Sequence, residues 1–169
     1  MLRDQELITE LLDENGIRGV DAEKVQALFQ FENNITKINV NLADIIMEMV
    51  YGFDPERKAF WFDYKGYLVL TNEEADKVAA TEILNNIKDF SLDFLCAYIY
   101  ANEDDIYNIR QEKNANEKLL NLLKKEGNVE KFIAGAIKDH SREYFIAAKD
   151  KEEHIETVRG REYYVYRTD

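Results

Sequence analysis

The sequence predicts an α+β fold, mostly helical, with a central β-hairpin feeding a capped helix and a small C-terminal antiparallel sheet. Three observations carry this. Between Ala59 and Phe90, two strand-like runs, Ala59-Phe60-Trp61-Phe62 and Tyr67-Leu68-Val69-Leu70, flank Asp63-Tyr64-Lys65-Gly66 and lead straight into a helix start. Apolar residues recur at helical spacing through most of the remaining chain. After Asp139 the pattern changes to short aromatic and β-branched runs, which suit a pleated surface. The length points to one domain over residues 1–169, with a possible N-terminal helical subdomain over residues 1–52.

Taken in order, the first helix runs from about Arg3 to Asn15 on a stripe of Leu7, Ile8, Leu11 and Leu12, and Gly16 ends it. Asp21 caps a second helix carrying Val25, Leu28 and Phe29. The segment Asn33 to Val40 fits either an edge strand or a loop. Asn41 is placed to cap a third helix with Leu42, Ile45, Ile46, Met49 and Val50, ending near Gly52. Asp54-Pro55-Glu56-Arg57 reads as a turn.

In the hairpin, Gly66 is the residue free to take a positive φ. Thr71 and Glu74 then form a capping box, and Glu73, Glu74 and Asp76 crowd the helix start, where the macrodipole favours negative charge. Ala75, Val78, Ala79, Ile83 and Ile87 give this helix one apolar stripe. The expected core joins Trp61, Leu68, Leu70, Val78, Ile83 and Ile87, the helix folding back on its hairpin.

Ser91 caps an apolar helix towards Tyr100, and Asn102 opens another with Glu103-Asp104-Asp105. Asn114 or Asn116 caps a helix carrying Leu119, Leu120, Leu122 and Leu123, which Gly127 closes. Asn128 caps the next, with Val129, Phe132, Ile133, Ala136 and Ile137. Strands are expected at Tyr144–Ala147, His154–Val158 and Tyr163–Tyr166.

Charge is the main functional signal. The chain has 34 acidic and 22 basic residues, a net charge of −12. Residues 1–58 carry 12 acids and 6 bases, residues 59–108 carry 10 and 3, and residues 109–169 carry 12 and 13. Such a surface repels nucleic acid and anionic membranes and steers towards basic partners, although acidity also serves solubility alone. No run of about 18 apolar residues exists to span a membrane. The N-terminus lacks the form of a secretory signal, and the single Cys96 fits a reducing compartment.

Chemistry leaves fewer traces. Cys96, His140 and His154 show no metal-ligand spacing, so no metal, cofactor or catalytic residue is assigned. His140 reads as a residue of a helix C-terminal region. Asp63-Tyr64-Lys65 with Asp54 has the acid-x-Lys spacing that a Mg²⁺-dependent nuclease uses, and this stands as an alternative. Tyr163, Tyr164 and Tyr166 among Arg159, Arg161 and Arg167 either stack single-stranded bases or, as the local charge favours, pack a sheet.

The stretch Tyr67–Ala79, the run Asn114-Ala115-Asn116-Glu117 and the ending Tyr163–Asp169 resemble a family of small acidic proteins carried by phages, plasmids and conjugative elements of Gram-positive bacteria. Relatives have an Asp-Gly-Arg-Gly-His-Phe stretch where this chain has Asp139-His140-Ser141-Arg142-Glu143-Tyr144-Phe145. The resemblance implies a mobile-element accessory protein of bacterial cytoplasm. With the acid excess of residues 59–108, it gives the leading expectation. That is a non-enzymatic inhibitor, such as an anti-CRISPR, mimicking nucleic acid against a basic, nucleic-acid-binding defence protein of the host. The expected contact residues are Glu73, Glu74, Asp76, Glu103, Asp104 and Asp105. The alternative is a small-molecule or peptide binding module.

Overall fold

A five-stranded antiparallel sheet organises one half of the molecule, and helices alone organise the other. The computed structural model describes the backbone of residues 2–35 and 42–169, and the side chains of residues 5–32 and 43–169. The expected cap Asn41 and the apolar Ile38 and Val40 lie outside those residues. The fold is α+β and mostly helical, as the periodicity indicates. Contacts divide the chain into two compact units, Met1–Ala75 with Ile146–Asp169, and Asp76–Phe145.

In the first unit, helices α1 (Leu2–Glu14), α2 (Ala22–Ile35) and α3 (Leu42–Tyr51) precede strands β1 (Phe53–Asp54), β2 (Ala59–Phe62) and β3 (Lys65–Leu70). The chain returns later as β4 (His154–Val158) and β5 (Arg161–Arg167), giving the order β1-β2-β3-β5-β4. β3 and β5 pair antiparallel, with Val69 opposite Val165 and Leu70 opposite Tyr164. Asp21 caps α2 as expected, accepting from the Glu23 amide at 2.9 Å. α2 lies on β3, β4 and β5, and α1 and α3 pack on α2. Ile8, Val25, Leu28, Ile46, Met49, Phe60, Val69 and Val165 form the core.

Two tyrosines of the sheet reach carboxylates on α2. The Tyr67 hydroxyl donates to Glu32, and the Tyr163 hydroxyl donates to Glu23. Burial first, and then the negative partner, pushes the Tyr67 phenol far up and the Tyr163 phenol to about 12. Tyr163, Tyr164 and Tyr166 are all buried, so these rings pack the sheet.

A phenol whose folded-state value lies above its unfolded value of about 10 adds stability that is complete below pH 10. For Tyr163 that contribution is lost as pH rises from about 10 through about 12. Urea midpoints across this range are expected to fall less steeply for Tyr163→Phe than for the parent. Parallel curves would mean that the phenol has its ordinary value.

The hairpin departs from the expectation at its turn. Register places Phe62 opposite Lys65 and Trp61 opposite Gly66, so the loop is two residues long. Positive φ falls on Asp63 (47°) and Tyr64 (57°), the primed turn that matches strand twist, and Gly66 sits inside β3. The absence of a side chain there admits the close approach of Thr168. A Cβ at Gly66 would stand 2.6 Å from Thr168 Oγ1, and the Thr168 amide donates to the Gly66 carbonyl at 2.9 Å.

The second unit begins within helix α4 (Asn72–Asn85), which follows β3. A 3-10 turn (Ile87–Asp89) comes next, then α5 (Leu92–Tyr98), α6 (Glu103–Arg110), α7 (Ala115–Glu126), α8 (Val129–His140) and α9 (Arg142–Ile146). Ser91 caps α5 through the Phe94 amide (3.2 Å), and Asn102 caps α6 through the Asp105 amide (2.8 Å). Gly127 closes α7 at φ 67°. Asn116, a possible cap by sequence, lies inside α7 and instead ties the end of α4, donating to the Leu84 carbonyl at 2.7 Å. Ile83, Ile87, Leu95, Leu119, Leu123 and Phe132 form this unit's own core.

The expected joint core of hairpin and helix is therefore corrected. Ile83 and Ile87 belong to the helical core, not to that of Phe60 and Val69. Trp61 is 51% exposed, because Phe60 takes the inward face of β2 and the two-residue strand period turns its neighbour outward. The expected strand Tyr144–Ala147 is also corrected, since Tyr144 to Ile146 are helical. A short apolar run suits either state. Here Ser141, at φ 65°, interrupts the helix and reverses the chain, and Tyr144 of α9 returns to stack on His140 with ring centroids 4.7 Å apart.

Candidate functional site

The six acidic residues singled out by sequence meet different fates. The capping box forms as expected. The Thr71 amide donates to Glu74 Oε2 at 2.9 Å, and the Glu74 amide donates to Thr71 Oγ1 at 3.3 Å. Lys24 Nζ also donates to Glu74 Oε2, at 2.7 Å. Burial alone would raise the Glu74 carboxyl, but the bonds from Lys24 and from Thr71 outweigh it and hold the group below its ordinary value. Asp76 is bound by Arg142 at 2.8 Å. Glu74 thus serves the first unit and Asp76 the second, and of the three only Glu73 stays fully exposed without an ion pair among the described residues.

The other run remains open. Glu103, Asp104 and Asp105 are exposed on the first turn of α6, and none forms an ion pair among the described residues. Asn102 already caps this turn. Cys96 is half-buried near the run. Burial first, and then the charges of Glu103 and Asp93, push its thiol up, so the inert protonated form prevails.

A feature the sequence did not announce is a cleft of about 400 Å³ within the second unit. The end of α4 supplies Glu82, the 3-10 turn supplies Asp89, and the end of α8 supplies Asp139 and His140. The reversal at Ser141 then returns Tyr144 and Phe145 to the same cleft. Its rings run in sequence. Phe94 stacks on Phe90 (5.0 Å), Phe90 faces Phe145 (6.2 Å), Phe145 meets Tyr144 edge-on (5.2 Å), and Tyr144 stacks on His140. Glu82, Asp89 and Asp139 form no ion pair among the described residues, and no lysine or arginine lines the cleft. Negative ring faces with unpaired carboxylates make a setting for a cation.

The nuclease constellation is not gathered in one place. Asp54 lines a second cleft of about 400 Å³ with Trp61 and Asp169, and Asp63 and Lys65 do not line it. Asp54 accepts from the Glu56 amide at 2.9 Å and pairs with Arg57, whereas Asp63 sits on the hairpin turn and pairs with Lys65 at 3.6 Å.

Among the described residues, one His-containing cluster has metal-ligating geometry. Ligand atoms of Asp150, Glu152 and His154 lie within 4.8 Å of one another. Glu152 leads into His154 at the start of β4, and the turn that ends at Lys151, with φ 59°, places Asp150 beside them, so local spacing alone does not announce the cluster. His154 Nε2 stands 3.5 Å from Glu152 Oε2, and its ring packs on Phe31 at 4.7 Å. Two carboxylates and one imidazole are a donor set for a divalent cation. No helix among the described residues is long and apolar enough to cross a membrane. No protein-family model matches the chain, and no curated protein or solved structure is detectably similar to it.

Proposed function

We propose that this is a non-enzymatic acidic protein that binds and inhibits a basic, nucleic-acid-binding protein, in the manner of an anti-CRISPR that mimics nucleic acid in the cytoplasm of a bacterial host. The observation that carries the reading is the exposed, cation-free row Glu103-Asp104-Asp105 on α6. Helix-start electrostatics favours acidic residues there, but Asn102 already caps the turn, and a row of three unpaired carboxylates adds self-repulsion. Support also comes from the overall charge of −12. Of this, the first unit contributes 21 acids against 12 bases, and the second contributes 13 against 10. Phosphate-binding channels are lined by lysine and arginine, and such an array competes for them. A second reading, a peptide- or small-molecule-binding module, is favoured by the aromatic, acid-lined cleft.

Panels of purified CRISPR nucleases, together with basic proteins that co-purify with the chain from its host, test the proposal. Association should weaken steeply with salt, since the Debye length falls from about 10 Å at 0.1 M to about 3 Å at 1 M. Reversing Glu103, Asp104 and Asp105 to lysine should slow association about tenfold or more at low salt while leaving stability nearly unchanged. An unchanged on-rate would make this face plain solvated surface.

A further inference from the structure

We propose that the cleft of the second unit is a binding site for a guanidinium group, borne by an arginine side chain or by a small arginine-like molecule; this rests on the second reading above and names its ligand. Charge gives the sign of the ligand. Glu82, Asp89 and Asp139 face the cleft without an ion pair, and no lysine or arginine lines it. An anion would meet three like charges, and a neutral apolar ligand would strip water from carboxylates and return nothing.

The rings select among cations. Phe94, Phe90 and Phe145 are nearly parallel, with interplanar angles of 24° and 28°, and Tyr144 lies 23° from His140. The Tyr144 ring, 45% exposed, is the part of this row open to solvent. Flat, weakly hydrated guanidinium lies on an exposed ring of this kind and forks to a carboxylate with two parallel N–H donors, whereas a compact ammonium keeps its water. Size agrees. About 400 Å³ is at the lower end of ligand pockets, which run from about 300 to 1,000 Å³, and suits one arginine-sized group rather than a larger cofactor.

The test is a titration of the intact protein followed by NMR of the aromatic and amide resonances. The probes are N-acetyl-arginine methylamide, agmatine, and the lysine and citrulline counterparts of the first. Both guanidinium probes should shift Phe90, Phe94, Tyr144 and His140, with dissociation constants on the order of 1 mM. The neutral citrulline probe should bind about tenfold more weakly or not at all. Equal affinity for the blocked arginine and agmatine assigns the site to a polypeptide side chain, and preference for agmatine assigns it to a small molecule.

The double variant Glu82→Gln/Asp89→Asn should lose about tenfold in affinity with its amide spectrum unchanged elsewhere. Tyr144→Ala, at an exposed ring, supplies an independent check. Binding of the lysine or citrulline probe as tight as that of arginine would remove the guanidinium assignment and leave a binding module. Silence of the cleft towards all four probes would remove both. The titration involves no partner protein, so either result is independent of the acidic face on α6.

Discussion

Phe132→Ala is expected to destabilise the helical unit by about 3–5 kcal/mol, the range for removing a large ring from a closed core. Phe132 is fully buried and is met edge-on by Phe90 (5.0 Å), Phe94 (5.2 Å) and Tyr98 (5.6 Å). Each T-shaped contact adds to the area term, and the hole left behind has rings on several sides that cannot collapse inward together. Because Phe132 belongs to the core of Ile83, Leu95 and Leu123, the loss should be local. Hydrogen exchange is expected to quicken across α5, α7 and α8 while amides of β3 and β5 keep their protection. Equal loss of protection in helices and sheet would show that the two units open as one. The aromatic cleft shares Phe90 and Phe94 with this core, so the variant should also weaken any ligand held there.

Gly52→Ala is expected to cost about 1–3 kcal/mol or more, through overpacking rather than through a cavity. A Cβ at this position would stand 1.8 Å from the Trp61 carbonyl oxygen and 2.8 Å from its carbon. Both atoms are backbone and cannot rotate aside. The Gly52 carbonyl also accepts from the Trp61 amide at 2.8 Å, so relief of the clash breaks the bond that docks the end of α3 against β2. Gly160→Ala, in the same unit, is the control. A Cβ there meets nothing within 4 Å and carries only the strain of φ 77°, which costs about 1–2 kcal/mol. Urea unfolding followed by Trp61 fluorescence should separate the two. A Gly52 variant as stable as the Gly160 variant would mean that α3 and β2 are not held this close.

What the sequence made legible was local. The caps at Asp21, Thr71, Ser91 and Asn102 and the closing strands were readable because each depends on residues within a few positions. Partner choice was not. The stripe of α4 runs on from Ala75 to Ile83, and nothing in its spacing says that Ile83 joins the core of Phe132. Trp61 was misplaced because a four-residue run of apolar side chains hides which member faces inward. Asn116 escaped because its partners, Leu84 and Lys88, are about thirty positions away.

The candidate site divides the same way. The acid row Glu103-Asp104-Asp105 is contiguous and was seen at once. The cleft collects Glu82, Asp89, Asp139 and Tyr144 from four separate elements, and no pattern of residues announces that meeting. Nor does spacing help with His140 and Tyr144: they are four apart, but Ser141 breaks the helix between them, so their stacking owes nothing to a shared helical face.

The ion pair between Arg142 and Asp76 has a consequence for how the protein folds. Leu70 and Tyr164 pair across β3 and β5 although 94 positions separate them, and the helical unit occupies most of that interval. A disordered loop of such length closes at an entropic cost that rises with the logarithm of its length, and long-range strand pairing is slow for that reason. The helical unit is rich in contacts between neighbouring elements, the kind that form early. Asp76 and Arg142 stand at its two ends, and their 2.8 Å contact draws those ends together. Once the helices have formed, the chain between β3 and β5 is shortened from a long tether to residues 71–75 and 143–160, and the sheet closes across these flanks rather than across the whole insertion.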